Sequence, residues 1–441
     1  MSDTAQYVTT DTPPGPRLPA VAQMLLWGAV PVRYFTACER RYGPTFTMRL
    51  MGDEAGIVVS DPAAVREMFA LRPDEYCVNE ASGILLEPFL GPRSLLLLDG
   101  ERHRQERKML VHAFRAEHLA SHAATVRDVV HRQIEDWPVG RAFALHDAIQ
   151  AITLEVILRI VFGMEGSALD DVRTPMQGFL HDGGLLRVLI PVLRRDLGPL
   201  TPWARFVRNR DVVHAAVRSQ IAIRRADPQL ASRTDVLSAL LLAFDEAEFD
   251  DDALLDELMT MVLAGQDTTA TALSWAFDLL LHHPPALDRL RSELAAGDDD
   301  AYLDAVIHET LRVRPVIPDI GRVLTEPASL GGYDVPAGTS VTASILLAHR
   351  RTDTYTDPLA FRPERFLEGA PDPYAWIPFG GGARRCLGAS FAMLEMREVL
   401  RALLTSVDLR AASPRMERPR RRVVTLIPRR GTRVVVDRVV R

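Results

Sequence analysis

Apolar residues recur at helical spacing along most of the chain, and the pattern breaks at glycine and proline. The longest stretch runs from Asp250 to His282 and stops at Pro284-Pro285. At 1.5 Å per residue such a helix would be roughly 50 Å long, enough to cross a whole domain. Asp250, Asp251, Asp252, Asp256 and Glu257 crowd its first turns, where the helix dipole favours negative charge. Shorter helices are predicted over Ala29–Tyr42, Glu101–Phe114, 119–163, 203–226, Tyr302–Arg314 and Ala389–Leu404. The period falls towards two in Thr45–Leu50, Gly56–Val59, Ile320–Leu347 and Val423–Val436. Those runs predict short strands, with a terminal hairpin at the end. Residues 1–20 carry Pro13, Pro14, Pro16 and Pro19 and predict an extended lead-in. Residues 76–98 predict a long irregular loop, too apolar for a solvent loop, that covers a ligand. Residues 174–202, broken by Gly178, Gly183, Gly184, Pro191, Gly198 and Pro199, predict a mobile lid.

Composition narrows the class. A chain of 441 residues, 47% hydrophobic and 25% charged, is an ordinary globular protein with ample core. A net charge of −6 and a pI near 6.1 argue against nucleic acid or an anionic membrane as a partner of the whole surface. Cys38, Cys77 and Cys386 form no C-x-x-C pair, which excludes a zinc cluster and fits a reducing cytoplasm. No membrane span is expected. The Val21–Val30 patch is too short to cross a bilayer, and the Leu258–Leu281 run has Gln266 and Asp267 at its middle.

Chemistry concentrates near the end, in Trp376-Ile-Pro-Phe-Gly-Gly-Gly-Ala-Arg-Arg-Cys-Leu-Gly-Ala-Ser390. Glycines 380–382 permit positive φ and the close approach of a flat ligand. Cys386 stands just before a helix start, where the macrodipole favours thiolate. A buried thiolate needs a partner, and a single one on a glycine-padded loop suits the axial position of a haem. Taken alone, the loop also fits a glycine turn followed by a structural cysteine. Upstream, His103 and Arg107 share a helix face at i, i+4, beside a solvated stripe of Arg102, Arg104 and Lys108. Ala264 and Gly265 leave room beside the long helix. Asp267 and Thr268 are polar in its apolar middle and need partners. Either Thr268 back-bonds to a carbonyl and Asp267 sits in a structural ion pair, or the two relay protons. Glu309 and Arg312, at i, i+3, read as a structural pair.

The string Phe379-x-x-Gly382-x-Arg384-x-Cys386-x-Gly388 resembles the haem-binding loop of the cytochrome P450 family. Ala264-Gly265-Gln266-Asp267-Thr268-Thr269 resembles its oxygen-activation motif. Glu309-x-x-Arg312 with Arg365 in Phe361-Arg-Pro-Glu-Arg-Phe366 resembles its structural triad. The motifs lie in family order over nearly the entire chain. The resemblance implies a mainly α fold with a large helical lobe and a small β-sheet-rich lobe. It also implies one haem domain over 21–441 behind the 1–20 lead-in. The implied cofactor is haem b, with Cys386 as proximal thiolate and His103, Arg107, Arg322 and Arg384 on the propionates. Asp267 and Thr268 would deliver protons. The implied reaction is O2-dependent hydroxylation or epoxidation of an apolar small molecule of terpenoid, steroid, fatty acid or macrolide class. No reductase motif appears, so electrons would come from a separate ferredoxin and ferredoxin reductase. Arg102, Arg104, Lys108, Arg385 and Arg397 would form the docking face of a cytoplasmic monomer. The rivals are a peroxide-driven peroxygenase and a haem-thiolate sensor or carrier.

Overall fold

The computed structural model describes residues 12–49, 55–78, 80–113, 122–182, 198, 201–243, 250–297 and 299–440. The chain opens with α1 (Ala20–Ala29) and α2 (Pro31–Tyr42), separated at Val30 because Pro31 starts a new helix. Before them, Pro13 and Pro14 accept hydrogen bonds from Thr47, which ties the extended lead-in to the first strand. β1 (Thr45–Met48) and β2 (Gly56–Val59) follow, then α3 (Pro62–Ala70), capped by the Asp61 carboxylate on the Ala64 N–H.

The 76–98 segment is not the irregular loop expected from its glycines and prolines. It contains β3 (Tyr76–Cys77) and α4 (Glu80–Leu90). Gly83 and Pro88 are absorbed inside the helix, so packing overrides their low propensity. Next come α5 (Gly100–Ala113), α6 (Ala123–Glu135), β4 (Ala142–Ala144), α7 (Leu145–Phe162) and α8 (Gly166–Asp182). The expected lid of 174–202 therefore begins as a helix that tolerates Pro175 and Gly178. Residues 183–197, 199 and 200 lie outside the described residues.

α9 (Pro202–Arg225) and α10 (Val236–Ala243) lead to α11 (Asp251–Leu281), the long helix. Asp250 caps it through the N–H groups of Asp252 and Ala253. The same prolines that end α11 open α12 (Pro284–Ala296), because proline is tolerated in a first turn and not beyond. α13 (Ala301–Val313), β5 (Ile320–Leu324), β6 (Ala328–Leu330), β7 (Tyr333–Val335), β8 (Ser340–Ala343) and α14 (Ile345–Ala348) follow. The chain closes with α15 (Ala389–Ser406), β9 (Val407–Ala411), β10 (Pro419–Arg422), β11 (Thr425–Pro428) and β12 (Arg433–Val439).

A five-stranded sheet in the order β1-β2-β8-β5-β3 joins the N-terminal hairpin to the 320–343 region. Only β2 and β8 run parallel within it, with Ile57 opposite Val341. The expected terminal hairpin does not form. β11 pairs with β10, whereas β12 crosses to lie between β9 and β4. Local alternation identifies a strand but carries no information about its partner. The main core wraps α11 and α7, and Phe277, Leu158 and Phe162 are fully enclosed there.

Candidate active site

The cysteine loop leads into α15. Gly380 and Gly382 adopt φ of 67° and 65°, while Gly381 is extended at −162°. Two of the three glycines take the expected positive φ, and the bare faces of Gly381 and Gly382 also meet α3. A Cβ on Gly381 would collide with the Phe69 ring of α3, and one on Gly382 with the Phe69 carbonyl. Their bare faces therefore let the loop press against α3. We expect Gly381→Val to push the loop off α3 and lower both Tm and haem retention, measured by calorimetry and the haem-to-protein absorbance ratio. The Cys386 N–H donates to the Phe379 carbonyl at 2.9 Å. Solvent reaches the Cys386 side chain, yet the protein around it is dense, as in a cleft. Burial pushes the thiol up, and the Gly388 N–H, Arg107 and Arg385 offset this only in part. A thiolate here needs a cation at the sulfur.

Four of the residues singled out above meet beside this cysteine. His103 is buried on α5, and burial, then Arg384 and Arg107, push its pKa down to about 4. At neutral pH the imidazole is thus an uncharged donor. Arg107 donates to the Arg385 carbonyl at 2.5 Å and faces Cys386. Arg322, on β5 and 2% exposed, donates to the carbonyls of Met68 and Gly381. Arg384 pairs with Asp99 at 2.5 Å and donates to the Leu98 carbonyl. Tyr76, which sequence reasoning missed, stands between the two, its ring 4.2 Å from the Arg322 guanidinium carbon and 5.8 Å from that of Arg384.

The cluster has unmet capacity. Tyr76 Oη, Arg322 Nε and Arg384 Nε are buried and have no hydrogen-bond partner among the described residues, and buried polar atoms ordinarily find one. Arg107, Arg322 and Arg384 oppose the single carboxylate of Asp99. With Arg385 also beside Arg107 and Cys386, positive charge exceeds negative here, which suits the two propionates of haem b. The donor set therefore fits that cofactor. The basic docking face is less basic than expected. Arg102 pairs with Glu106, Arg104 with Glu101 and Arg397 with Asp304, at 2.5–2.9 Å.

Asp267 and Thr268 lie apart from this cluster, midway along α11. The Thr268 hydroxyl donates to the Ala264 carbonyl at 2.6 Å. Asp267 Oδ1 accepts from Gln150 Nε2 at 2.7 Å, with Arg422 Nη1 at 3.5 Å and His146 Nε2 at 4.0 Å. Both contacts of the structural alternative are therefore present. A Cβ on Gly265 would strike the end of the Ile157 side chain of α7, so its bare face lets the two helices pack closely. Thr269, next in line, abuts Glu395 of α15. Burial pushes that carboxyl up to about 8, and the Thr269 hydroxyl draws it back in part. Glu395 was visible in the sequence as a carboxylate within the Phe391, Glu395, Val399 stripe of α15. This contact sets the long helix against the cysteine helix.

An aromatic group joins the two regions assigned to substrate. Phe89 of α4, Phe179 of α8 and Phe206 of α9 pack with centroids 5.0–5.9 Å apart, and Trp203 stacks on Phe206 at 5.2 Å. Below the cysteine loop, Glu309, Arg312 and Arg365 form the expected triad. Arg312 grips Glu309 in bidentate fashion at 2.7 and 2.8 Å, and Arg365 Nε adds a bond at 3.1 Å.

Comparison with known proteins agrees with this geometry. The family model for cytochrome P450 matches residues 13–433, and the chain belongs to the cytochrome P450 family. It is 42% identical over 434 residues to cytochrome P450 135B1 of Mycobacterium bovis, covering 96% of this chain and 91% of that protein. It is 39% identical over 436 residues to cytochrome P450 137 of Mycobacterium tuberculosis, covering 96% and 90%. Its fold matches the retinoic acid bound cyanobacterial CYP120A1 with a TM-score of 0.83 at 26% identity, covering 98% of this chain and 100% of that one. The protein is therefore a haem b oxidoreductase of the haem-thiolate monooxygenase class. Among the described residues no helix is long and apolar enough to cross a membrane.

Proposed function

We propose that this chain inserts one oxygen atom of O2 into an apolar small molecule of terpenoid, steroid, fatty acid or macrolide class. Electrons come from a separate ferredoxin and ferredoxin reductase, and residues 21–441 act as one cytoplasmic haem domain. The observation that supports an apolar substrate is that the helices of these regions meet through the apolar core, where Phe89, Phe179, Phe206 and Trp203 pack on one another with no charged member. The fold neighbour CYP120A1 is described with retinoic acid bound, which supports a long apolar ligand.

Cys386 would hold the iron, and His103, Arg107, Arg322 and Arg384 the propionates. Bound haem supplies the centre at which O2 is activated. The chain's own residues manage the protons. Asp267 is partly exposed and meets Arg422, which is itself accessible from solvent, so protons reach its carboxylate from outside. The Thr268 hydrogen is committed to the Ala264 carbonyl, so the hydroxyl oxygen offers its lone pairs to the site. To relay, the hydroxyl would turn from Ala264, give its own proton to the site and take a replacement from a water on the Asp267 side, a general-acid role typically worth 10²–10⁴-fold.

The test is the ratio of product formed to reductant consumed. Thr268→Ala should bind haem and substrate normally and keep consuming reductant, while the ratio falls about tenfold or more and hydrogen peroxide accumulates. Asp267→Asn should slow product formation and reductant consumption together, because it impairs proton supply. An unchanged ratio and rate in Thr268→Ala would return the pair to a structural role. Product yield that depends on added peroxide but not on reductant would favour a peroxygenase.

A further inference from the structure

Two half-buried arginines far from the chemistry have no protein partner among the described residues. Arg314 follows the last turn of α13, and Arg350 follows α14 by two residues. Neither side chain makes a hydrogen bond or salt bridge among the described residues, and Arg314 Nε is fully enclosed without a partner. Burial is the main cause pushing both guanidiniums down, Arg350 to about 10, where Arg314 and Arg312 add like-charge repulsion. Asp278 is the one carboxylate that draws Arg314 up, but its oxygens are engaged by the Glu417 N–H at 3.1 and 3.2 Å. The other nearby acids are taken. Glu309 is held by Arg312 and Arg365, Glu417 by Arg430 and Asp319 by Arg421.

Both arginines line one small cleft, walled by Val32, Trp275, Pro315, Leu346, Pro419 and Leu426. Trp275 underlies Arg314 at 5.2 Å and spends its own N–H on the Leu426 carbonyl at 2.8 Å. The space between these groups is about that of one water molecule. The walls offer two cations and otherwise apolar surface. We propose that Arg314 and Arg350 form a binding site for a single small inorganic anion of halide size, chloride for example. A halide matches the confined, apolar walls, since it sheds its hydration more readily than sulfate or phosphate. Bound there, it would tie together α2, the C-terminal third of α11, the end of α13, α14 and the β10–β11 hairpin. The site is independent of the haem chemistry.

Haem-loaded crystals soaked in sodium bromide should show an anomalous bromine peak between the two guanidiniums. In solution, the Tm of the holoenzyme should rise saturably with chloride or bromide, by about 2 °C, and not with sodium gluconate at equal ionic strength. Arg350→Met should lose both the peak and the halide response while keeping its reduced carbon monoxide spectrum. In gluconate it should be no less stable than the parent, because it removes a half-buried charge that has no protein counter-charge of its own. If Arg350→Met fails to fold, Arg314→Gln serves instead and should also lose the peak. No peak, a water molecule in its place, or a halide response that survives Arg350→Met would overturn the proposal. A peak without any difference between halide and gluconate would mean an adventitious ion only, and would overturn it too.

Discussion

Arg312→Ala should yield aggregated or haem-free protein. Arg312 and Glu309 are both fully buried. Besides its two bonds to Glu309, Arg312 donates to the carbonyls of His349 and Pro358 at 2.8 Å and Ala360 at 3.1 Å. One guanidinium thus joins α13 to the 349–365 stretch that precedes the cysteine loop. Its loss strands the Glu309 carboxylate, with only Arg365 and the Arg362 N–H left to satisfy it. Breaking a buried pair from one side costs about 3–5 kcal/mol, a large share of the roughly 5–15 kcal/mol that holds a domain folded. Arg312→Lys should rescue little, because a single ammonium cannot reproduce a planar fork with five donors. Soluble yield and the ratio of haem to protein measure the effect. A soluble, haem-loaded Arg312→Ala protein with normal turnover would refute it.

Cys386→His should abolish the red-shifted Soret band that the reduced protein gives with carbon monoxide, while Cys38→Ser and Cys77→Ser should leave it intact. The three sulfurs differ in surroundings rather than in type. Cys38 is enclosed in the α2 core beside Tyr34, and burial, only partly offset by the bond to Tyr34, pushes its pKa up. Cys77 lies on β3, paired with Val323. Cys386 alone combines accessibility with Arg107 and Arg385 nearby and the Gly388 N–H aimed at its sulfur. Carbon monoxide difference spectra of the three variants decide the matter. Loss of the band in Cys38→Ser or Cys77→Ser, with its retention in Cys386→His, would move the ligand elsewhere.

The long helix, the Glu309-x-x-Arg312 pair and the position of Cys386 ahead of α15 were legible because each depends on contacts within a few residues. Capping aspartates, a proline stop and an i, i+3 pair write themselves into local order. The 76–98 region and the start of the 174–202 region, as far as Asp182, were misread for the converse reason. Gly83, Pro88 and Pro175 speak against helix locally, and only packing in the folded molecule outweighs them. The terminal strands were recognised but mispaired, since alternation gives a strand its two faces and not its neighbour.

At the site, the sequence by itself determined which residue types were at hand: one thiol ahead of a helix, a histidine and arginine one turn apart, and an acid beside an alcohol within an apolar helix. It also determined the family, because those motifs occur together in one order. Only the tertiary structure decided how they meet. Residues 76, 103, 107, 322, 384 and 386 come from four separate parts of the chain. Their convergence, and the excess of positive charge it creates, arises from the β3–β5 pairing and the seating of the glycine loop on α3. The same holds for Asp267, whose partners Gln150, His146 and Arg422 are more than a hundred residues away in sequence. Short-range order fixes helices and caps, whereas charge balance and desolvation depend on what the fold brings within a few ångströms.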